Sequence, residues 1–466
     1  MSGRPDLAVI GGGAAGLAAA SFAARLGLSV TLLERAPRLG GECLHAGCVP
    51  GKALLLAARL AWRRHGGPPS PDEADAAFAG AMERVRVAVA RVARHDDPAR
   101  FRGLGCEVRL GTPARFRDGG TLEAGEETLR PRRILIATGS HPVRPEWAQG
   151  DGVLTTDAIF RLAARPARLA VVGAGPAGVE LAQAFCRLGS RVTLLEAAGR
   201  ILPGEDADAA GVVAAALRAE GVRIRTANRV VGLEPAAGGG HRLRCVPGPP
   251  VEVDAVLLAL GRRPAVDGLG LDVAGIVWDG AGIRVDRHMR TSRRHVYACG
   301  DVVAGRPRLS HAAEDEALAA VGHLALRLPR RATPPESIPR VLYTDPELAQ
   351  VGPTAEAARR RHGRVQVLET PFAAVDRARI EGREAGFLRL VVWRGRLLGA
   401  TVVGEGAGEL IHELALARGR AVRALAGLVH AYPTRAQAVR RAAAAAWSER
   451  LGLARRLARW MQRLPV

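Results

Sequence analysis

Cys43 and Cys48 stand with four residues between them in the stretch Gly40-Gly41-Glu42-Cys43-Leu44-His45-Ala46-Gly47-Cys48-Val49-Pro50-Gly51-Lys52. Two thiols so placed beside a redox cofactor can form a disulfide that takes up two electrons and returns them. On a regular helix, residues five apart hold their Cα atoms roughly 8–9 Å from each other. A disulfide needs about 4.4–6.8 Å. The pair therefore belongs where the chain is still turning into a helix, which Gly47 permits and Pro50 in a first turn suits. A bridge so constrained is easier to reduce than a structural one. A helix start also favours the reactive thiolate. A structural bridge, or two free core thiols, would also account for the pair.

Such chemistry needs a frame, and an internal repeat supplies one. Residues 11–34, GGGAAGLAAASFAARLGLSVTLLE, resemble residues 173–196, GAGPAGVELAQAFCRLGSRVTLLE. Both carry G-x-G-x-x-G and both end Val-Thr-Leu-Leu-Glu, with the acid 23 residues after the first glycine. Apolar runs, Leu7–Ile10 and Leu169–Val172, precede the two copies. Each copy reads as a strand, a glycine turn and a helix. Gly11 and Gly173 allow the tight turn, Gly13 and Gly175 admit a pyrophosphate, and Gly16 and Gly178 let helix and strand pack closely. The helix N-terminus offers unpaired N–H groups to the phosphates. Glu34 and Glu196 can accept hydrogen bonds from ribose hydroxyls.

A chain of 466 residues with 48% hydrophobic residues and 56 glycines suits a multidomain α/β protein. The net charge is +21, yet only one of the 67 basic residues is a lysine, Lys52. The basic residues are spread along the chain, with no aromatic–basic pattern and only 4% aromatics, which argues against nucleic-acid binding. Cys106, Cys186, Cys245 and Cys299 are isolated and read as buried small residues. That usage points to a reducing, cytoplasmic setting. No Cys-x-x-Cys metal pattern occurs. The apolar stretch Leu7–Ala24 is interrupted by glycines and reads as strand, turn and helix rather than a signal segment.

Three further strands end in small-residue turns: Arg133–Ser140 (RILIATGS), residues 256–264 (VLLALGRRP, with Gly261) and His295–Val302 (HVYACGDV, with Asp301). From about Arg340, strand-like runs at Val365–Glu369, Phe387–Val392 and Leu397–Val403 alternate with helical Gly408–Ala417 and Val422–Leu428. The predicted fold is α/β, with two Rossmann-like nucleotide-binding domains and a C-terminal α+β domain. Trp447–Leu464 has the pattern of a basic amphipathic helix. It suggests packing on its own domain, or a weak contact with an anionic membrane surface or an acidic partner.

Taken in order, these motifs resemble the class I pyridine nucleotide–disulfide oxidoreductases, whose members include dihydrolipoyl dehydrogenase, glutathione reductase and mercuric reductase. The resemblance covers nearly the whole chain and includes Tyr343–Gly352, YTDPELAQVG. It implies FAD on the first fingerprint and NAD(P)H on the second, with NADH preferred because Glu196 repels a 2′-phosphate. Arg200 lies close enough in sequence to weaken that preference. The resemblance implies that Asp301 binds the ribityl chain, that Thr138, Gly139 and Ser140 contact FAD, and that Ala114 meets the adenine. Gly261 falls with the nucleotide contacts. Cys48 corresponds to the thiol against the flavin, and Cys43 to the outer thiol that meets the acceptor. Lys52 corresponds to a lysine near flavin N5, paired with Glu180. The implied domains are 1–145 with 265–336 for FAD, 146–264 for NAD(P) and 337–466 for homodimerisation.

Two departures matter. Gly51 stands where a polar residue is usual. At the C-terminus, dithiol-handling members carry His-Pro-Thr-x-x-Glu, whereas this chain reads His430-Ala431-Tyr432-Pro433-Thr434-Arg435-Ala436-Gln437. Tyrosine is a poor base near neutral pH, since phenol and imidazole titrate about 3.5 units apart. His430 could substitute, but on an extended segment it would share the side of Tyr432 without reaching the same point. Tyr432 resembles mercuric reductase, although the C-terminal cysteine pair of that enzyme is missing. The expectation is electron transfer from NAD(P)H through FAD and the cysteine pair to a small-molecule or metal-ion acceptor, a metal as in mercuric reductase or another acceptor that is not a dithiol. A dihydrolipoyl dehydrogenase is the second expectation, and a non-catalytic flavin sensor or scaffold the third.

Overall fold

The strand β1, Leu7–Ile10, is buried along its whole length and has parallel neighbours on both sides. Strands of this kind are continuous apolar runs because helices cover both faces of the sheet. In the computed structural model, which describes residues 4–237, 239–448 and 458–462, the chain forms two compact units. The first comprises residues 4–173, 184–192 and 230–335, and the second 174–183, 193–229 and the chain from 336 on.

In the first unit, β1 and β2 (Val30–Leu33) belong to a five-stranded parallel sheet. Its order is Val296–Ala298, Arg133–Ile136, β1, β2, Glu107–Arg109. The helix α1, Ala14–Arg25, follows β1, and its buried face is built of Ala15, Gly16, Leu17, Ala19, Ala20 and Ala23. Such small side chains let α1 approach both the sheet and the alanine-rich helix Ser310–Leu326 in one core. Next come α2 (Gly41–His45), α3 (Cys48–His65) and α4 (Pro71–Ala93). Gly66 in the left-handed region ends α3, and a Ser70–Glu73 capping box with Pro71 at the first helical position starts α4. Phe78 of α4 packs on Phe185 with ring centres 5.8 Å apart. The unit also contains the parallel set Arg168–Val172, Ala255–Leu258 and Val153–Thr155.

In the second unit, Arg191–Leu195 runs parallel to Arg223–Arg225 from Thr193 on, and Asp206 caps the helix Ala207–Ala219. A five-stranded antiparallel sheet has the order Arg340–Leu342, Glu347–Val351, Arg396–Gly404, Phe387–Trp393, Gln366–Pro371. Side chains of the helices Ala407–Ala417 and Gln437–Ser448 share its core. Most of the tail expected as an amphipathic helix lies outside the described residues. Within 458–462, Trp460 and Met461 are exposed. Among the described residues no helix is long and apolar enough to cross a membrane.

Candidate active site

The cysteine pair occupies a break between two helices. Cys43 is in α2, Gly47 caps the next helix, and Cys48 is the first residue of α3 with Pro50 in its first turn. This is the non-helical turn that the spacing predicts. No disulfide joins Cys43 and Cys48 in the structure. Cys48 is exposed and Cys43 half-buried. A hydrogen bond with Cys48, together with burial, pushes the Cys43 thiol well above its ordinary range. Cys43 also lines a cavity of about 270 Å³ bounded by Leu17, Ser21, Val92, Phe101 and Glu314. Lys52 lies four residues beyond Cys48 on α3, on the same helical face.

Around the pair lies a polar cluster, of which sequence reading missed Glu42, Asp157 and Arg262. Glu42, immediately before Cys43, pairs with Arg262 at 2.7 Å. Arg262 also pairs with Asp157 at 3.0 Å, and its Nε donates to Ser140 Oγ at 2.8 Å. Ser140 Oγ in turn donates to Asp301 at 2.6 Å. Burial pushes the Glu42 carboxyl up to about 7, with Arg262 opposing and Asp157, Asp301 and Cys48 reinforcing the rise. Thr138 Oγ1 donates to Ala265 O at 2.8 Å, which fixes the turn ahead of Gly139 and Ser140. Asp301 follows Gly300, whose N–H is held by the buried Glu316 carboxylate at 2.8 Å, itself paired with Arg306.

The first fingerprint fits a dinucleotide. Gly11 has φ +110°, and a Cβ there would lie 2.3 Å from Ala137 O. A Cβ on Gly16 would lie 1.8 Å from Gly11 O. At Gly13 the nearest atom to such a Cβ is 3.8 Å away, which leaves its backbone open to a phosphate. The Glu34 carboxylate accepts the N–H of Gly12 at 2.6 Å and of Ala36 at 2.7 Å. Backbone bonds from Gly111 and Thr112 to Ala36 and Glu34 bring the start of Ala114–Phe116 beside this acid.

The second copy repeats this bonding. Glu196 accepts the N–H of Ala174 and of Ala198, each at 2.8 Å. Gly173 has φ +103°, and a Cβ on Gly175 would meet nothing within 4 Å. Gly261 is similarly open at φ +91°. Arg200 turns away from the acid. Its guanidinium donates to the carbonyls of Ile201, Leu202, Pro203 and Glu205.

Elsewhere in the second unit, Glu180 is buried and accepts the N–H of Tyr343 at 2.8 Å. Tyr432 is 70% exposed. His430 is not its companion. Its side chain is only 5% exposed, with Nε2 3.1 Å from Glu413 and Nδ1 3.2 Å from Leu428 O. Among the described residues no cluster of three or more His, Cys, Asp and Glu side chains is placed to hold a metal ion.

Residues 5–317 match the pyridine nucleotide-disulphide oxidoreductase family, and residues 338–443 match the dimerisation domain of the same family. The chain belongs to this family. It is 38% identical to the dihydrolipoyl dehydrogenase of Thermus scotoductus over 460 residues, which cover 94% of this chain and 97% of that one. It is 34% identical to dihydrolipoyl dehydrogenase 3 of Pseudomonas aeruginosa, over 94% and 97% of the two chains. Among solved structures it resembles the Cu(II) complex of the HOCl-induced flavoprotein disulfide reductase RclA from Escherichia coli. The TM-score is 0.85 at 26% identity, over 95% of this chain and 99% of that one. The chain is thus an oxidoreductase of a family that uses FAD and NAD(P)H, with a C-terminal domain for homodimerisation. These relatives carry the names dihydrolipoyl dehydrogenase and RclA rather than mercuric reductase.

Proposed function

We propose that this flavoprotein passes electrons from NADH through FAD and the Cys43–Cys48 pair to a metal ion or another acceptor that is not a dithiol. The observation that carries the acceptor is Tyr432, exposed where dithiol-handling members place a histidine, with His430 buried against Glu413. Dithiol exchange needs a base that removes a thiol proton near neutral pH. A neutral phenol donates a hydrogen bond or approaches a metal instead. The similar RclA structure is a Cu(II) complex, which favours the same class of acceptor.

In this reading, residues 1–145 and 265–336 bind FAD, residues 146–264 bind the nicotinamide nucleotide, and residues 337–466 form the dimer interface. Gly13 and Gly175 admit the two pyrophosphates, and Glu34 and Glu196 accept from the riboses. Asp301, oriented by Ser140, accepts from the ribityl chain. Thr138, Gly139 and Ala114 line the same site, and Lys52 lies beside the flavin ring. When bound, FAD would supply the two-electron chemistry that links NADH to the disulfide. Cys48 is the sulfur nearer the flavin, and Cys43 faces the acceptor. NADH is preferred because the Glu196 carboxylate repels a 2′-phosphate, and Arg200 is occupied by its own loop.

The names of the relatives favour a second reading, dihydrolipoyl dehydrogenase. Steady-state turnover separates the two. Wild type should oxidise NADH with Cu(II) or Hg(II) and oxidise dihydrolipoamide with NAD poorly. Tyr432→His should raise dihydrolipoamide oxidation at least tenfold. Rapid dihydrolipoamide oxidation by wild type, unchanged in Tyr432→Phe, would put the second reading first.

A further inference from the structure

Ser310 brings a hydroxyl to the redox pair from a distant part of the sequence. Its Oγ lies 3.4 Å from Cys48 Sγ, a normal separation for a hydrogen bond to sulfur. Ser310 is the first residue of the 17-residue helix Ser310–Leu326, and Leu309 at the N-cap gives no side-chain bond. The positive end of that helix therefore stands behind the hydroxyl. The hydroxyl also acts on Cys43, where it lowers the thiol against a larger rise caused by Cys48 and burial. Ser310 thus touches Cys48 directly, while burial and the Cys48 contact push the Cys43 thiol upward.

We propose that Ser310 is a catalytic residue that donates its O–H to the Cys48 thiolate, fixing the negative charge of the reduced pair there while Cys43 keeps the proton. The inference rests on reading the pair as the redox disulfide. Reduction by NADH balances without a further proton. The S–S bond breaks, the electron pair of the hydride goes to the two sulfurs, and its proton stays on Cys43. The products are one thiolate, one thiol and NAD. When the acceptor takes two electrons, the S–S bond re-forms and Cys43 releases its proton to solvent. A hydroxyl that favours thiolate at Cys48 keeps the reduced pair in the charge state from which both steps run.

The test uses FAD-loaded enzyme reduced anaerobically with one equivalent of NADH. The long-wavelength thiolate absorbance is titrated with pH in wild type, Ser310→Ala and Ser310→Thr. Loss of one charge-assisted hydrogen bond should raise the Ser310→Ala midpoint by about one unit, equivalent to tenfold less thiolate at a fixed pH. Ser310→Thr should restore the wild-type midpoint. Iodoacetamide labelling of the reduced protein, read by peptide mass, should show Cys48 alkylated several-fold more slowly in Ser310→Ala, with a smaller change at Cys43. Unchanged midpoint and labelling would overturn the proposal. If wild type gave no long-wavelength band but Ser310→Ala still slowed Cys48 labelling, the hydroxyl's role would stand and the placement of Cys48 against flavin would fall.

Discussion

The two dinucleotide turns make the same bonds for the same number of residues and then part. In each copy the acid holds the N–H of the second fingerprint residue and the N–H two places beyond itself. Glu34 is further bonded through its backbone to Arg109 and Thr112, and Glu196 in the same way to Arg225 and Asn228. In each copy the residue 29 places after the first glycine donates its N–H back to the turn. Gly40 reaches Gly12 O at 2.8 Å, and Leu202 reaches Ala174 O at 2.9 Å. Immediately past this hook, the first copy enters Glu42, Cys43 and Cys48. The second enters Pro203 and a helix capped by Asp206. Redox chemistry is therefore an attachment to one of two equal frames. On the proposed assignment of FAD to the first copy and the nicotinamide nucleotide to the second, what distinguishes the two sites begins at residue 41, not in the fingerprint.

The largest expected effect tests that division. Cys48→Ser or Cys43→Ser should lower acceptor reduction by about 10³-fold or more, as loss of a reacting group does. Bleaching of the flavin by NADH in the stopped flow should survive, and loss of bleaching would mean that the frame depends on the attachment. Next, a side chain at the open glycine should separate the copies. Gly13→Val should yield protein without yellow cofactor. Gly175→Val should stay yellow and raise KM for NADH at least tenfold, roughly the cost of one misplaced phosphate contact. Equal loss of colour in both would show that the two frames do not bind independently. A smaller effect is expected for Glu196→Gln, which removes charge but keeps an acceptor. It should narrow the NADH/NADPH ratio in kcat/KM by about tenfold, or about 1.4 kcal/mol. An unchanged ratio would remove Glu196 from the discrimination.

The smallest effect concerns Glu42, on the first copy alone. Its folded-state pKa is raised from the usual carboxylate value to about 7. Between those values the folded protein holds a proton that the unfolded chain has lost. Stability should therefore fall as pH rises through this window. Glu42→Gln should flatten the change in Tm between pH 5 and pH 8. A slope equal to wild type would show that the carboxyl is not desolvated.

The frames were legible in the sequence because their demands are local. A glycine at φ above +100° and an acid at the end of the next strand leave a fixed spacing. The backbone bonds from Gly111 and Ala227 to the two frames were not legible. These positions share a left-handed φ but not a residue type, so no repeat is visible there. The cysteine turn was readable from helix geometry alone. The cluster of Glu42, Asp157 and Arg262 was not, since its members come from three separated segments. Ser310 meets Cys48 across 262 residues, a distance over which periodicity carries no information. An extended strand would make His430 a neighbour of Tyr432. Its ring is instead drawn onto Glu413, where two hydrogen-bonding partners offset its burial. The helix Ala355–His362 leaves little trace in the sequence because its one apolar face is two alanines wide.

The closed loop around Arg200 also bears on how coenzyme choice could change by descent. A cation beside the acid is the obvious raw material for holding a 2′-phosphate. Here it braces the carbonyls of residues 201–205, the same loop that carries the Leu202 hook to Ala174. Releasing Arg200 toward a phosphate would loosen the turn that positions the nucleotide. On the proposed preference for NADH, a change to NADPH would draw its cation from outside residues 200–205 rather than from Arg200.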